Sequence, residues 1–414
     1  MQEMKTKDPN VNQTLCVLEM FKKLKMKGGV REMRKTIIIS LMALLSIMLV
    51  YGFADAGGPC ADCHTMHYSQ NGAKPANAAS GGPFGTLLVA NGCIGCHGQG
   101  TVQNIVNDQI PQVLHIDPND LAGGNFAYIT GAKAVDAADS VAVANPDTVG
   151  HNVVDINNAE GIAAMFPPPG DEFGQTGITS TTFTCAGAYG CHGNRAIAGE
   201  TAAMEGAHHV SDTVLKFGTL DESAQGGSVG LSYRFLKGVK GAEHAAWNDG
   251  ATPSSHNEYK GATDGVEGSA TTPGGGTING LCAECHGNFH GPRAVDSDIT
   301  DTGTGSPWLR HPTDIVLPNS GEYQYYNGGA GSGAAADYSL DAPVARANTL
   351  SDANYPTAKG TVTPGSNDAI VMCLSCHMAH ASANADILRW NYEDIQVGTG
   401  GNVKCYICHT TKND

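Results

Sequence analysis

Bulky and charged side chains are scarce in this sequence. Aromatic residues make up 6% of the 414 residues and charged residues 15%, where soluble domains usually carry about a quarter charged. A chain so poor in large side chains cannot build two or three ordinary hydrophobic cores, although its length would allow them. Positive charge is also in short supply, with 24 Lys+Arg against 40 Asp+Glu. That balance excludes a nucleic-acid binder on electrostatic grounds. Glycine, by contrast, is abundant at 54 residues, and each glycine loses much backbone freedom on ordering. Such a chain either stays loose or folds around something large that it does not encode.

One long apolar run is present. Thr36 to Phe53 follows the basic start Met33-Arg34-Lys35 and precedes the small-x-small site Ala54-Asp55-Ala56. This reads as a signal peptide over 33–56, with the mature chain 57–414 forming one domain and no membrane span left after cleavage. A retained anchor is the alternative. Residues 1–32 are expected to be an extension from a misplaced start. Removing residues 1–56 leaves 15 basic and 35 acidic residues, a net charge of −20. That suits either plain solubility or contact with cationic partners and metal ions.

The thirteen cysteines carry the argument. Apart from Cys16, they fall into six pairs, and every pair ends in Cys-His. Five pairs have C-x-x-C-H spacing: Cys60-Cys63-His64, Cys93-Cys96-His97, Cys282-Cys285-His286, Cys373-Cys376-His377 and Cys405-Cys408-His409. This spacing signals c-type haem attachment. Positions i, i+3 and i+4 share a face of a helical turn, so two thioethers and one imidazole can engage a single porphyrin. Zinc knuckles would need four ligands each, and a disulfide framework would not place histidine after every second cysteine. The third motif in chain order is irregular: Cys185 and Cys191-His192 are separated by five residues. A local disulfide is its alternative reading. The expectation is six haem c.

Six irons offer twelve axial positions, and the attachment histidines His64, His97, His192, His286, His377 and His409 fill half. Ten histidines remain, an excess that favours histidine on both faces. The distal candidates are His67, His115, His151, His208, His209, His290, His311 and His380, with His244 and His256 weaker. His67, His290 and His380 follow their own motifs too closely to reach round the same haem, but each can reach a neighbouring one. Methionine ligation would raise the potential, and few methionines lie near the motifs.

Attachment histidines 64 and 97, and 377 and 409, lie 33 and 32 residues apart, whereas the middle gaps exceed 90. The long gaps are rich in Gly, Ala, Ser, Thr, Asp and Asn and read as loops. The fold class expected is therefore mostly irregular coil organised around a haem chain. Short helices are expected at the motifs and in 381–395, and short strands in TLLVA (86–90) and SVGLSYRF (228–235). The acidic stretch 296–305 could hold calcium.

The motifs CADCHTMHYS (60–69), GHNVV (150–154), LCAECHGNFH (281–290), LRHP (309–312) and CLSCHMAHAS (373–382), in this order, resemble the OmcS-like six-haem outer-surface cytochromes, a filament-forming multihaem family. The resemblance implies bis-histidine haems stacked in one continuous chain. It implies a homopolymer in which His67 ligates a haem of the adjacent subunit, and a secreted, cell-surface location. Partners would be other redox proteins or extracellular metal acceptors. The irregular third motif departs from the family, as does a shorter stretch between the fifth and sixth haems. The function expected is long-range electron transfer by a non-enzyme. A monomeric periplasmic shuttle, a multihaem reductase and a structural fibre are the alternatives, and the reductase is disfavoured because no C-x-x-C-K motif is present.

Overall fold

Glycine-rich segments with few apolar repeats give little regular structure. In the computed structural model the described residues are 92–98, 102–106, 110–156, 168–170, 178–179, 181–206, 226–263, 272–289, 311–347, 358–398 and 401–412. Residues 1–91, and with them the expected signal peptide, the TLLVA segment and the first motif, lie outside them, as do His208, His209, His290 and the acidic stretch 296–305.

Among the described residues there are four α-helices: α1 (Ile94–His97), α2 (Ser140–Ala144), α3 (Glu200–Ala203) and α4 (Ile278–His286). The longest, α4, has nine residues. Strands are two-residue ladders: β1 (Ile105–Val106) with β2 (Ile110–Pro111), β3 (Gly241–Ala242) with β4 (Glu258–Tyr259), β5 (Ile315–Val316) with β8 (Ile370–Val371), and β6 (Ala336–Asp337) with β7 (Thr361–Val362), all antiparallel. The fold is coil with short helices and strands, and none of the described helices is long and apolar enough to cross a membrane.

Two local expectations are corrected. SVGLSYRF forms two 3₁₀ turns, Val229–Leu231 and Tyr233–Phe235, instead of a strand. The chain reverses there because Arg234 and Phe235 both take positive φ, 50° and 56°, which no strand tolerates. Segment 381–395 holds only the 3₁₀ turns Ala385–Ile387 and Tyr392–Asp394.

Packing follows the motifs. One cluster gathers Ile94, Phe126, Ile129, Val149 and Val153 around the second and third motifs. Another joins Tyr233, Tyr259, Ile278, Leu281, Ile370 and Leu374 at the fourth and fifth. A third packs Tyr326, Tyr338, Trp390 and Ile407 against Cys376, Cys405 and Cys408. Side-chain caps hold the segments between. Asp139 accepts hydrogen bonds from the N–H groups of Val141 and Ala142 at the start of α2 and from Ala385 N–H, 246 residues away. Such a cap contributes about 1 kcal/mol on its helix alone.

Candidate functional site

The attachment motifs share one backbone turn. In the second motif Cys96 and His97 donate their N–H groups to Cys93 O at 3.2 and 2.9 Å, and in the fifth Cys376 and His377 donate to Cys373 O at 3.2 and 3.0 Å. The sixth repeats this with Cys408 and His409 to Cys405 O at 3.2 and 2.9 Å. The irregular third motif does the same: Cys191 and His192 donate to Cys185 O at 3.2 and 3.0 Å. The extra residues loop out, closed by the Ala186–His192 bridge and by Thr184 N–H to Tyr189 O. Gly190 is required here, since a Cβ would stand 2.4 Å from Thr184 O. An insertion that alters the spacing has thus left the cysteine–histidine turn intact.

Neighbouring motifs in sequence are neighbours in space. The Cys93 and Cys185 sulfurs lie within 4.8 Å of each other, and Cys282 and Cys373 are near enough to act on each other electrostatically. Cys191 lies within electrostatic reach of Cys282, and Cys376 of Cys405 and Cys408. The second to sixth motifs therefore follow one another in a single row.

Histidines face one another across this row. The ring centroids of His151 and His286 are 6.2 Å apart, those of His192 and His380 are 6.1 Å apart, and those of His311 and His409 are 6.1 Å apart. Two imidazoles on opposite sides of one metal ion, each at the ~2 Å of a histidine–metal bond, place their ring centres about 6 Å apart. Each pair joins an attachment histidine to a histidine expected as a distal ligand.

The rings are aimed by their second nitrogens. Nδ1–H donates to a backbone carbonyl in His97 (Pro111, 2.8 Å), His151 (Ala379, 2.8 Å), His192 (Arg234, 3.1 Å), His286 (Pro169, 2.7 Å), His311 (Pro312, 3.1 Å) and His377 (Asp386, 2.7 Å). His409 donates to Glu322 Oε1 at 3.2 Å. Such outer partners fix the tautomer in which Nε2 is the unprotonated nitrogen, the one able to ligate a metal. Burial, reinforced by neighbouring histidines, pushes His151 down to about 4 and His380 to about 3. Burial likewise takes His192 to about 4. All three rings are neutral at physiological pH, as ligands must be.

The scaffold behind two of these pairs is a three-stranded crossing without a sheet. Ala381 bridges Gly124 in parallel and Gly150 antiparallel. His380 N–H donates to Gly123 O at 2.7 Å and His151 N–H to His380 O at 2.9 Å. The β5–β8 ladder, between His311 and Cys373, anchors the third pair.

The other candidates divide. His115 is buried in a polar network, with Nε2 3.2 Å from Asn125 Nδ2 and 3.8 Å from Asp120, and its Nδ1 has no hydrogen-bond partner. His244 uses both ring nitrogens locally, at Ser255 Oγ and Ala246 N–H. His256 stacks on Tyr338 at 3.6 Å. His64 and His67 lie outside the described residues.

Sequence reasoning missed the ionic groups between the motifs. Arg195 forms a two-point ion pair with Glu284, inside the fourth motif, at 2.7 and 2.8 Å. Asp155 and Glu200 flank Cys185, whose N–H donates to Glu200 Oε1 at 2.9 Å. Cys93, Cys185 and Glu200 bring their ligand atoms within 4.8 Å of one another. Glu284, between two attachment cysteines, was the one visible signal.

Residues 366–414, spanning the fifth and sixth motifs, match the doubled CXXCH motif family. The chain is 24% identical over 405 residues to the C-type cytochrome OmcS of Geobacter sulfurreducens, covering 88% of this chain and 86% of that protein. These matches make the chain similar to an OmcS-like multihaem c-type cytochrome. Two solved structures from that organism are also similar. The Outer Membrane Cytochrome S filament has TM-score 0.39 and 19% identity, covering 81% of this chain and 84% of its own. The OmcS nanowires have TM-score 0.43 and 17% identity, with 86% and 91% covered. The matched doubled CXXCH motif supports haem c as the group held, and the attachment cysteines and paired histidines described above fit it.

Proposed function

We propose that the chain carries electrons along a row of six bis-histidine haems and does so outside the cell as a polymer of identical subunits. The observation that carries the reading is the set of three histidine pairs, each at the separation two ligands of one iron require. The haems, when attached, supply the one-electron chemistry. The chain's own residues tether them through paired cysteines, orient the imidazoles through carbonyls and keep neighbouring sites close. In this reading His151 serves the fourth haem, His380 the third and His311 the sixth. With histidine on both faces of an iron no position is left for a substrate, so the protein is a carrier and not an enzyme. The irregular third motif counts as a sixth haem site because its turn matches the regular ones. Polymerisation, with His67 ligating a haem of the next subunit, and the cell-surface location rest on the similarity to OmcS, whose solved form is a filament.

The test is intact mass and electron paramagnetic resonance on the native protein. Six haem masses beyond the processed chain and an entirely low-spin spectrum are expected. Five haems would remove the third motif, and a high-spin signal would point to a reductase. Cryo-electron microscopy of the same material distinguishes filaments from monomers.

A further inference from the structure

Asp314 stands apart from every group assigned above. Its residue is 0% exposed, although carboxylates are almost never fully buried without a specific arrangement. Its Oδ1 accepts hydrogen bonds from Ala262 N–H at 2.9 Å and Asn279 Nδ2 at 2.8 Å, and its Oδ2 lies 3.3 Å from Thr277 Oγ1, which shares its one proton with Gly274 O at 3.0 Å. Its φ is +50°, a left-handed conformation in which a non-glycine residue stores strain.

These partners belong to the fourth and fifth attachment sites. Thr277 caps α4, which carries Cys282, Cys285 and His286, by accepting Gly280 N–H at 2.9 Å. Asn279 passes the connection on, for its Oδ1 accepts Cys373 N–H at 2.8 Å. Through Asn279 the carboxylate lies between the helix that carries Cys282 and the backbone of Cys373. A negative charge is thus built into the interior where the two sites meet.

We infer that Asp314 tunes the potential of the fourth and fifth haem sites, holding it below the value that histidine ligation alone would give. The inference rests on haem attachment at both motifs, as proposed above. The couple is one electron and no proton: a ferric site accepts an electron from an external reductant and becomes ferrous, losing one unit of positive charge. A carboxylate in a low-dielectric interior favours the more positive, oxidised form, and burial and local charge are established levers on haem potential. Removing one negative charge raises the potential whatever other charges surround the site.

Asp314→Asn tests this in the full haem-loaded protein, because the amide is nearly isosteric and keeps acceptors for Ala262 and Asn279. Haem content is counted first by intact mass. The protein is then titrated with dithionite while the haem absorption band is followed. Two of the one-electron steps are expected to move to more positive potential while the others stay in place. Asp337→Asn, which removes an equal charge from an exposed position, must leave all steps unmoved. If Asp314→Asn does not accumulate with its haems, the smaller neutral Asp314→Ser must shift the same two steps in the same direction. Titrations that superimpose on the wild type, or an equal shift in Asp337→Asn, overturn the inference. Wild-type protein lacking haem at either motif would instead overturn the attachment reading.

Discussion

The ion pair between the third and fourth motifs offers the sharpest test of how the row is held. Arg195 and Glu284 side chains are only 5% and 10% exposed. The guanidinium also donates from Nη1 to Lys237 O at 3.3 Å and Cys191 O at 3.4 Å, so one side chain ties both attachment turns. Burial raises the Glu284 carboxyl above its usual range even though Arg195 pulls it down, so desolvation outweighs the partner's attraction. A buried pair of this kind contributes little net stability, yet removing one partner strands the other at a cost of about 3–5 kcal/mol. Arg195→Ala should therefore lower stability by that amount, whereas Arg195→Met combined with Glu284→Leu should be near neutral. Denaturant unfolding of variants with equal haem content, checked by mass, measures both. A single variant costing less than about 1 kcal/mol, or a double variant as unstable as the single one, would refute the reasoning.

Three further outcomes are expected. His151→Ala should convert one haem to a high-spin form in the resonance spectrum without loss of haem mass. Gly124→Ala should destabilise by roughly 3 kcal/mol or more and disturb the His151 and His380 sites together, since its Cβ would sit 1.9 Å from Ala381 O at a backbone φ of +87°; thermal unfolding and the fraction of low-spin haem report it. Glu200 is raised to about 7, chiefly by burial and then by the Asp155 charge. The folded state therefore holds that proton more tightly than the unfolded chain. The associated stability is complete below pH ~4.5 and lost as pH rises towards 7. The unfolding midpoint should fall over that window in the wild type, and Glu200→Gln should flatten the profile.

The parts of the site that were legible in the sequence are those fixed by covalent chemistry. Two thioethers and an imidazole demand a set spacing, so five motifs could be read directly, and the irregular third keeps its turn because Cys191 and His192 close on Cys185 O despite the longer loop. His151, His311 and His380 could be named as distal candidates from the excess of histidines and their context, and the structure sets each beside an attachment histidine. Their assignment to particular attachment sites could not, because it depends on contacts such as His151 to Ala379, 228 residues apart, which no local pattern encodes. SVGLSYRF failed for a related reason: its alternation suits a strand, but Arg234 must turn its carbonyl towards His192 Nδ1. Asp314 and Arg195 gave no signal because lone charged residues usually face solvent.

The scarcity of regular structure can be understood from the same hydrogen bonds. In helices and sheets nearly every carbonyl is already committed to a backbone N–H. Six of the histidines in this row each need a backbone carbonyl for Nδ1, at a position set by the ring and not by a repeating lattice. Pro111, Pro169 and Pro312 supply three of them, from a residue type that has no N–H to donate. A coil chain can turn an individual carbonyl towards each ring. Glycine gives it the turns to do so, and the poverty in bulky side chains leaves room for the groups those rings address. The composition that first excluded an ordinary core is therefore the composition that aiming a row of imidazoles requires.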